Sequence, residues 1–162
     1  MTTNTRHQTR IEADPDLPTI RIVRDFDASP HQVYRAWTDP KMVAQWLGPR
    51  SITTQIDTWD ARTGGSYRYS AWRDGEEIAS FYGSFHELRP DERLVQTFTY
   101  EGVPDGVCLE TVAFEDLGDG RTRVTGLSVV DTMEARDAMI ASGMEHGVVE
   151  GYAKLDALLS RG

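Results

Sequence analysis

Cysteine is nearly absent: Cys108 is the only one in 162 residues. One thiol can form neither an internal disulfide nor a cysteine metal cluster, and this usage fits a reducing compartment. Long apolar runs are missing as well. The opening stretch MTTNTRHQTRIEADPDLP has none, so it reads as neither a signal peptide nor an anchor. No later stretch is long enough to span a bilayer, and the expected address is the cytoplasm. Positive charge is scarce, with 17 Lys and Arg against 26 Asp and Glu and a net charge of -9. Binding to phosphate-rich surfaces needs the opposite balance. Neither nucleic acid nor membrane is therefore expected as a partner. The four histidines, His7, His31, His86 and His146, have no metal-ligand spacing, so no metal is expected. No Ser-His-Asp order, phosphate loop or dinucleotide fingerprint is present, and no cofactor is expected; the glycines of DLGDGR are turn chemistry.

What is present is a sequence that changes period. Residues 1–18 are polar and end on Pro15 and Pro18, which predicts a flexible arm before a single domain over 19–162. TIRIVRDFDA alternates as a strand. SPHQVYRAW then carries a strong helix start: Ser29 as N-cap, Pro30 in the first turn, Gln32 to complete a capping box. Asp39 before Pro40 restarts the helix, and Gly48 with Pro49 ends it. Six further strands follow: SITTQIDTW, SYRYSAW, IASFYGSFHEL, RLVQTFTY, VCLETVAFE and RTRVTGLSVV. Asp74-Gly75 and Asp119-Gly120 are hairpin turns. Tight turns join only antiparallel neighbours. A short helix from Thr132 precedes a long one, predicted to start at Ser142 with Glu145 completing a second capping box. This gives an α+β fold, a curved antiparallel sheet of about seven strands wrapped around a long C-terminal helix, with two short helices after the first strand.

The segments SPHQVYRAWTDPKMVAQWLGP, TGGSYRYSAWRDG, GSFHELRPDERLVQTF, VAFEDLGDGRTRVT and GYAKLDALL together resemble the START-like, or Bet v 1-like, superfamily (SRPBCC). Within it the likeness is to the family of the C-terminal domain of the activator of heat-shock protein 90 ATPase. The resemblance runs from about Ile20 to the end of the chain. It implies a helix-grip fold with a hydrophobic cavity between sheet and long helix that holds small apolar or lipid-like ligands. Some relatives are aromatase/cyclases, and many have no established activity.

Strand alternation selects candidates for the wall of such a cavity. Tyr67, Tyr69 and Ala71 share one parity, as do Leu94, Gln96, Phe98 and Tyr100, and as do Glu110, Val112 and Phe114. In IASFYGSFHEL, Phe81 and Phe85 oppose the parity of Tyr82, His86 and Leu88, which a bulge near Glu87 would reconcile. Trp37 and Trp46 are candidates for the mouth. On the long helix Met144, Val148, Gly151 and Leu155 form the apolar stripe. The candidate ligand-binding residues are thus Trp37, Trp46, Tyr67, Tyr69, Phe85, Gln96, Phe98, Val112, Met144, Val148 and Gly151. Each aromatic also has the plainer reading of core filling. Glu110 and His86 are weak candidates for an acid or base.

Three functions follow: a non-enzymatic carrier of a small hydrophobic molecule, a cyclase- or hydrolase-like enzyme using the same cavity, and an interaction module for a chaperone. Exposed sheet edges and an outward Trp72 leave room for a weak homodimer. The glycines Gly143, Gly147 and Gly151 recur every fourth residue in a helical stretch, where each costs about 1 kcal/mol against Ala. Gly143 reads as the break between helices. Gly147 and Gly151 either admit a close approach to the sheet or leave space for a ligand.

Overall fold

In the computed structural model, which describes residues 7–161, twelve elements form an α+β fold with one eight-stranded antiparallel sheet. Strand β1 is Arg10–Ala13 and β2 is Thr19–Phe26. Helices α1 (Pro30–Thr38) and α2 (Pro40–Trp46) follow. The meander then runs through β3 (Thr53–Trp59), β4 (Ser66–Arg73), β5 (Glu76–Arg89), β6 (Arg93–Tyr100), β7 (Cys108–Gly118) and β8 (Arg121–Val129). Helices α3 (Met133–Ala141) and α4 (Met144–Ser160) close the chain. The order across the sheet is β1-β2-β8-β7-β6-β5-β4-β3, so β1 and β3 are its edges.

The local signals account for most boundaries. Ser29 and Gln32 form the complete capping box, and Asp39 accepts from the Lys41 amide to start α2. Asp74, Gly75, Asp119 and Gly120 all have positive φ, which is what a two-residue turn matched to the strand twist demands. The register of β5 on β6 shifts between Phe85 and Glu87, the bulge that places Phe85 and Leu88 on one face.

Three expectations change. The predicted arm holds a strand, since β1 pairs with β2 from Arg10↔Val23 to Ala13↔Ile20; its residues 1–6 lie outside the described residues. The strand is polar because it is an edge with only Ile11 packed on the core, so its pattern is weak. Arg136 of α3 is buried and donates to the carbonyls of Asp14, Leu17 and Thr19, which fixes the β1–β2 turn. The sheet accordingly has eight strands rather than seven. Ser142 does not start α4: it is the C-cap of α3, its Oγ donates to the Met139 carbonyl, and Gly143 with φ +87° makes the break.

The core gathers at one end of the inner face. Phe26, Trp37, Trp46, Phe114 and Tyr152 pack edge-on or tilted, with ring centroids 4.7–6.2 Å apart. Leu155, Val33 and Val124 fill the spaces between them. Buried Arg24 pairs with Asp156 of α4, so the C-terminal half of α4 is tied to β2.

The α4 glycines face neither the sheet nor a void. A Cβ on Gly151 would lie 3.0 Å from the Trp46 carbonyl oxygen and 3.5 Å from the Gly48 backbone. One on Gly147 would lie 3.4 Å from the Pro49 ring. The pair lets α4 cross the end of α2, and Gly151 is withdrawn as a ligand-lining residue. The two positions should respond differently. Gly147→Ala should gain up to about 1 kcal/mol in urea denaturation from helix propensity. Gly151→Leu should lose about 1–3 kcal/mol by overpacking against backbone that cannot yield. A Gly151→Leu protein as stable as its parent would contradict this close crossing.

Candidate functional site

Away from that core, the inner face changes character. The register sets Tyr69 opposite Phe81, Phe85 opposite Gln96, Gln96 opposite Glu110, and Glu110 opposite Ser128. They form two rows, Tyr69–Phe81 across β4 and β5 and Phe85–Gln96–Glu110–Ser128 across β5 to β8, with Phe98 of β6 between them. Tyr69, Phe81 and Phe98 stack in sequence, with centroids 5.1 and 5.3 Å apart and interplanar angles of 28° and 19°. All three are only half-buried, as are Gln96, Glu110 and Ser128. Alternation brought them to the concave side, and no side chain covers them fully.

Glu110 is the polar centre of the second row. Its Oε1 accepts from Gln96 Nε2 at 2.9 Å. Desolvation raises its pKa above the ordinary carboxyl value, against a lesser lowering by the Gln96 bond. The side chain is half-buried, and the protein around it removes enough water to disfavour the charged form. Its charge also raises Tyr67 and Tyr69 of β4, Cys108 of β7 and Tyr152 of α4, in each case after the larger effect of burial. Four protonated groups therefore converge on one carboxyl. Cys108 is pushed up to about 12, so it is a thiol at neutral pH and no nucleophile.

The sequence-predicted residues divide into two sets. Tyr69, Gln96, Phe98 and Glu110 share the half-buried part of the inner face. Tyr67 and Phe85 are 2% and 1% exposed and pack on Trp59; the Tyr67 hydroxyl donates to the Thr97 carbonyl at 2.6 Å. Trp46, 4% exposed, belongs to the core with its indole donating to the Ala36 carbonyl, and Trp37 packs between it and Phe114. These tryptophans are core wedges between α1, α2 and α4 rather than a mouth. Val112 is core, and Met144 and Val148 pack partly buried against it. His86 is exposed, beside Glu87, Arg93, Val95, Leu109 and Thr111 on the outer face. The bulge turns it away from Glu110, which removes it as an acid or base for the inner face.

Two residues escaped the sequence reading. Phe81 was seen only as part of a parity conflict. Gly126 sits on the inner face of β8 opposite Ile22 and Val112, and a Cβ there would meet only the Ile22 carbonyl oxygen, at 3.9 Å. A glycine inside a β-branched strand was the available signal.

Residues 27–160 match the family model described as activator of Hsp90 ATPase homolog 1-like protein. The chain belongs to this family. Among solved structures, a protein from Arthrobacter aurescens is 29% identical with a TM-score of 0.85, over 94% of this chain and 92% of that one. One from Rhodobacter sphaeroides is 26% identical with a TM-score of 0.86, over 96% and 100%. An HSP90 activator from Plasmodium falciparum is 16% identical with a TM-score of 0.53, over 68% and 71%, a likeness of fold alone. No curated protein matches. Among the described residues of this family member, no group of three or more His, Cys, Asp and Glu side chains is placed to hold a metal ion. No helix among them is long and apolar enough to cross a membrane.

The raised pKa of Glu110 has a thermodynamic consequence. The folded state holds this proton more tightly than the unfolded chain, so stability is intact below the unfolded pKa, 4.5, and falls as pH rises through the folded one. Glu110→Gln keeps the acceptor for Gln96 and removes the charge. Its stability relative to the parent should therefore improve steadily from acid to neutral pH in parallel urea titrations. A difference independent of pH would mean that the carboxyl is solvated.

Proposed function

We propose that the domain binds a small hydrophobic, aromatic or lipid-like molecule between the sheet and α4, without transforming it. The observation that carries this reading is the half-buried stack of Tyr69, Phe81 and Phe98. Aromatic surface is the most rewarding surface to bury, and a domain that leaves it uncovered on its concave side gives up stabilisation of about 25 cal/mol per Å². A flat apolar ligand would recover that loss. Glu110 and Gln96 supply the few convergent polar groups that orient a ligand in such a site.

An enzyme of cyclase or hydrolase type would need a second proton-transfer group on the same face. His86 lies on the other side of the sheet, and the Tyr phenols around Glu110 are all pushed upward. The chaperone-activator reading has the family description and one distant fold likeness in its favour, and no surface feature beyond them.

Gly126 offers a test that leaves the core untouched. Gly126→Leu would project a side chain into the open space of the inner face. Thermal-shift screening against an aromatic and lipid library should find stabilising ligands for the parent. The variant should lose at least about tenfold in affinity, some 1.4 kcal/mol, while its unliganded melting temperature stays within a few degrees. Equal binding by both proteins would put the ligand elsewhere.

A further inference from the structure

The chemistry around Glu110 narrows the ligand, on the premise that the inner face is the binding site. Glu110 Oε1 accepts from the Gln96 amide, and among the described residues Oε2 has neither a hydrogen-bond nor an ion-pair partner. Nine other acidic residues of the described chain, including Asp25, Asp57 and Glu101, are paired with arginine. Glu110, on the concave side, has no such partner among the described residues. Arg24, the cation on the same face, gives its two terminal nitrogens to Asp156 and the Asp25 carbonyl, leaving only a fully buried Nε without a partner.

The walls around this carboxyl are aromatic. Tyr69, Phe81 and Phe98 present a stacked surface beside it, and Tyr67 and Tyr152 are near enough to feel its charge. The three rings are stacked nearly parallel, so their faces are turned largely to one another and what they offer a ligand is apolar surface. The charge preference of the face therefore comes from the carboxylate. A fatty acid or other organic anion is disfavoured here. A protonated amine would satisfy Oε2 and repay the desolvation of Glu110, while its apolar tail covers the stack.

We propose that the inner face selects organic cations, with Glu110 as the counter-ion and the Tyr69–Phe81–Phe98 stack as the apolar surface: the ligand class is a lipophilic or arylalkyl amine. This sharpens the binding function to one charge class. Specificity comes from a buried carboxyl that a neutral ligand leaves unpaired.

Isothermal titration with a matched series reads the difference. The probes are phenylalkyl amines of graded length, each with the alcohol and the carboxylate of the same skeleton. At pH 8 the parent should bind the best amine about tenfold or more tightly than its alcohol, in line with a hydrogen bond to a charged group. It should bind the carboxylate more weakly than either. The preference should shrink toward acid pH, where amine binding must displace the Glu110 proton into the buffer. The other groups facing Glu110 stay protonated throughout this range: Tyr67 and Tyr69 of β4, Cys108 of β7 and Tyr152 of α4. Glu110→Gln should lose the preference and bind the amine no more tightly than the alcohol. If the parent binds alcohol as well as amine, or if Glu110→Gln keeps the preference, cation selection is overturned and the apolar binding function stands. If no member of the series binds, both are overturned.

Discussion

The close crossing of α4 over the end of α2 governs the rest of the molecule. Gly151 lets the helix backbone sit against the Trp46 carbonyl, and Tyr152, the next residue, enters the cluster of Phe26, Trp37 and Trp46. The Arg24–Asp156 pair ties the same half of the helix to β2. With α4 seated there, packing is complete at one end of the inner face, where Phe26, Val33 and Leu155 are fully buried. Across β4, β5 and β6 it is not, and Tyr69, Phe81 and Phe98 remain half-buried. A sheet curved around a helix held at one end divides its concave surface into a closed core and an open floor. The proposed binding function rests on that division.

The open floor changes the electrostatics of whatever stands on it. Glu110 is surrounded well enough to lose hydration and not well enough to gain a partner beyond Gln96. Cys108 and three tyrosines share its surroundings and are held protonated. On the outer face the arrangement is reversed. Arg68 gathers Asp57 at 2.7 Å and Glu101 at 2.8 Å, solvent-screened contacts of small energetic weight. Arg24, the arginine of the inner face, is paired with Asp156, and no arginine pairs with Glu110 among the described residues.

Much of this was legible in the sequence because it is local. The Ser29–Gln32 box, the Asp-Gly turns, the break at Gly143 and the parity of Tyr69, Gln96, Phe98 and Glu110 depend only on neighbours along the chain. What was not legible depends on which element lies opposite. Gly151 was rightly singled out, but its partner is the Trp46 carbonyl, and no period in α4 points to α2. Trp46 was rightly read as large and apolar, but whether it plugs the core or lines an opening is decided by where α4 crosses. His86 and Glu110 looked alike as isolated titratable groups, and one bulge sends them to opposite faces. Strand β1 was missed because an edge with little to bury carries no alternation.

The central claim is that Glu110 stands desolvated before an open aromatic floor. A carboxyl ¹³C NMR titration of Glu110, with Glu110→Gln used to assign the resonance, tests it most directly. The account predicts a midpoint clearly above the usual glutamate range, about 4.3. A midpoint at or below that range would mean that bulk water reaches the carboxyl, and would contradict the account.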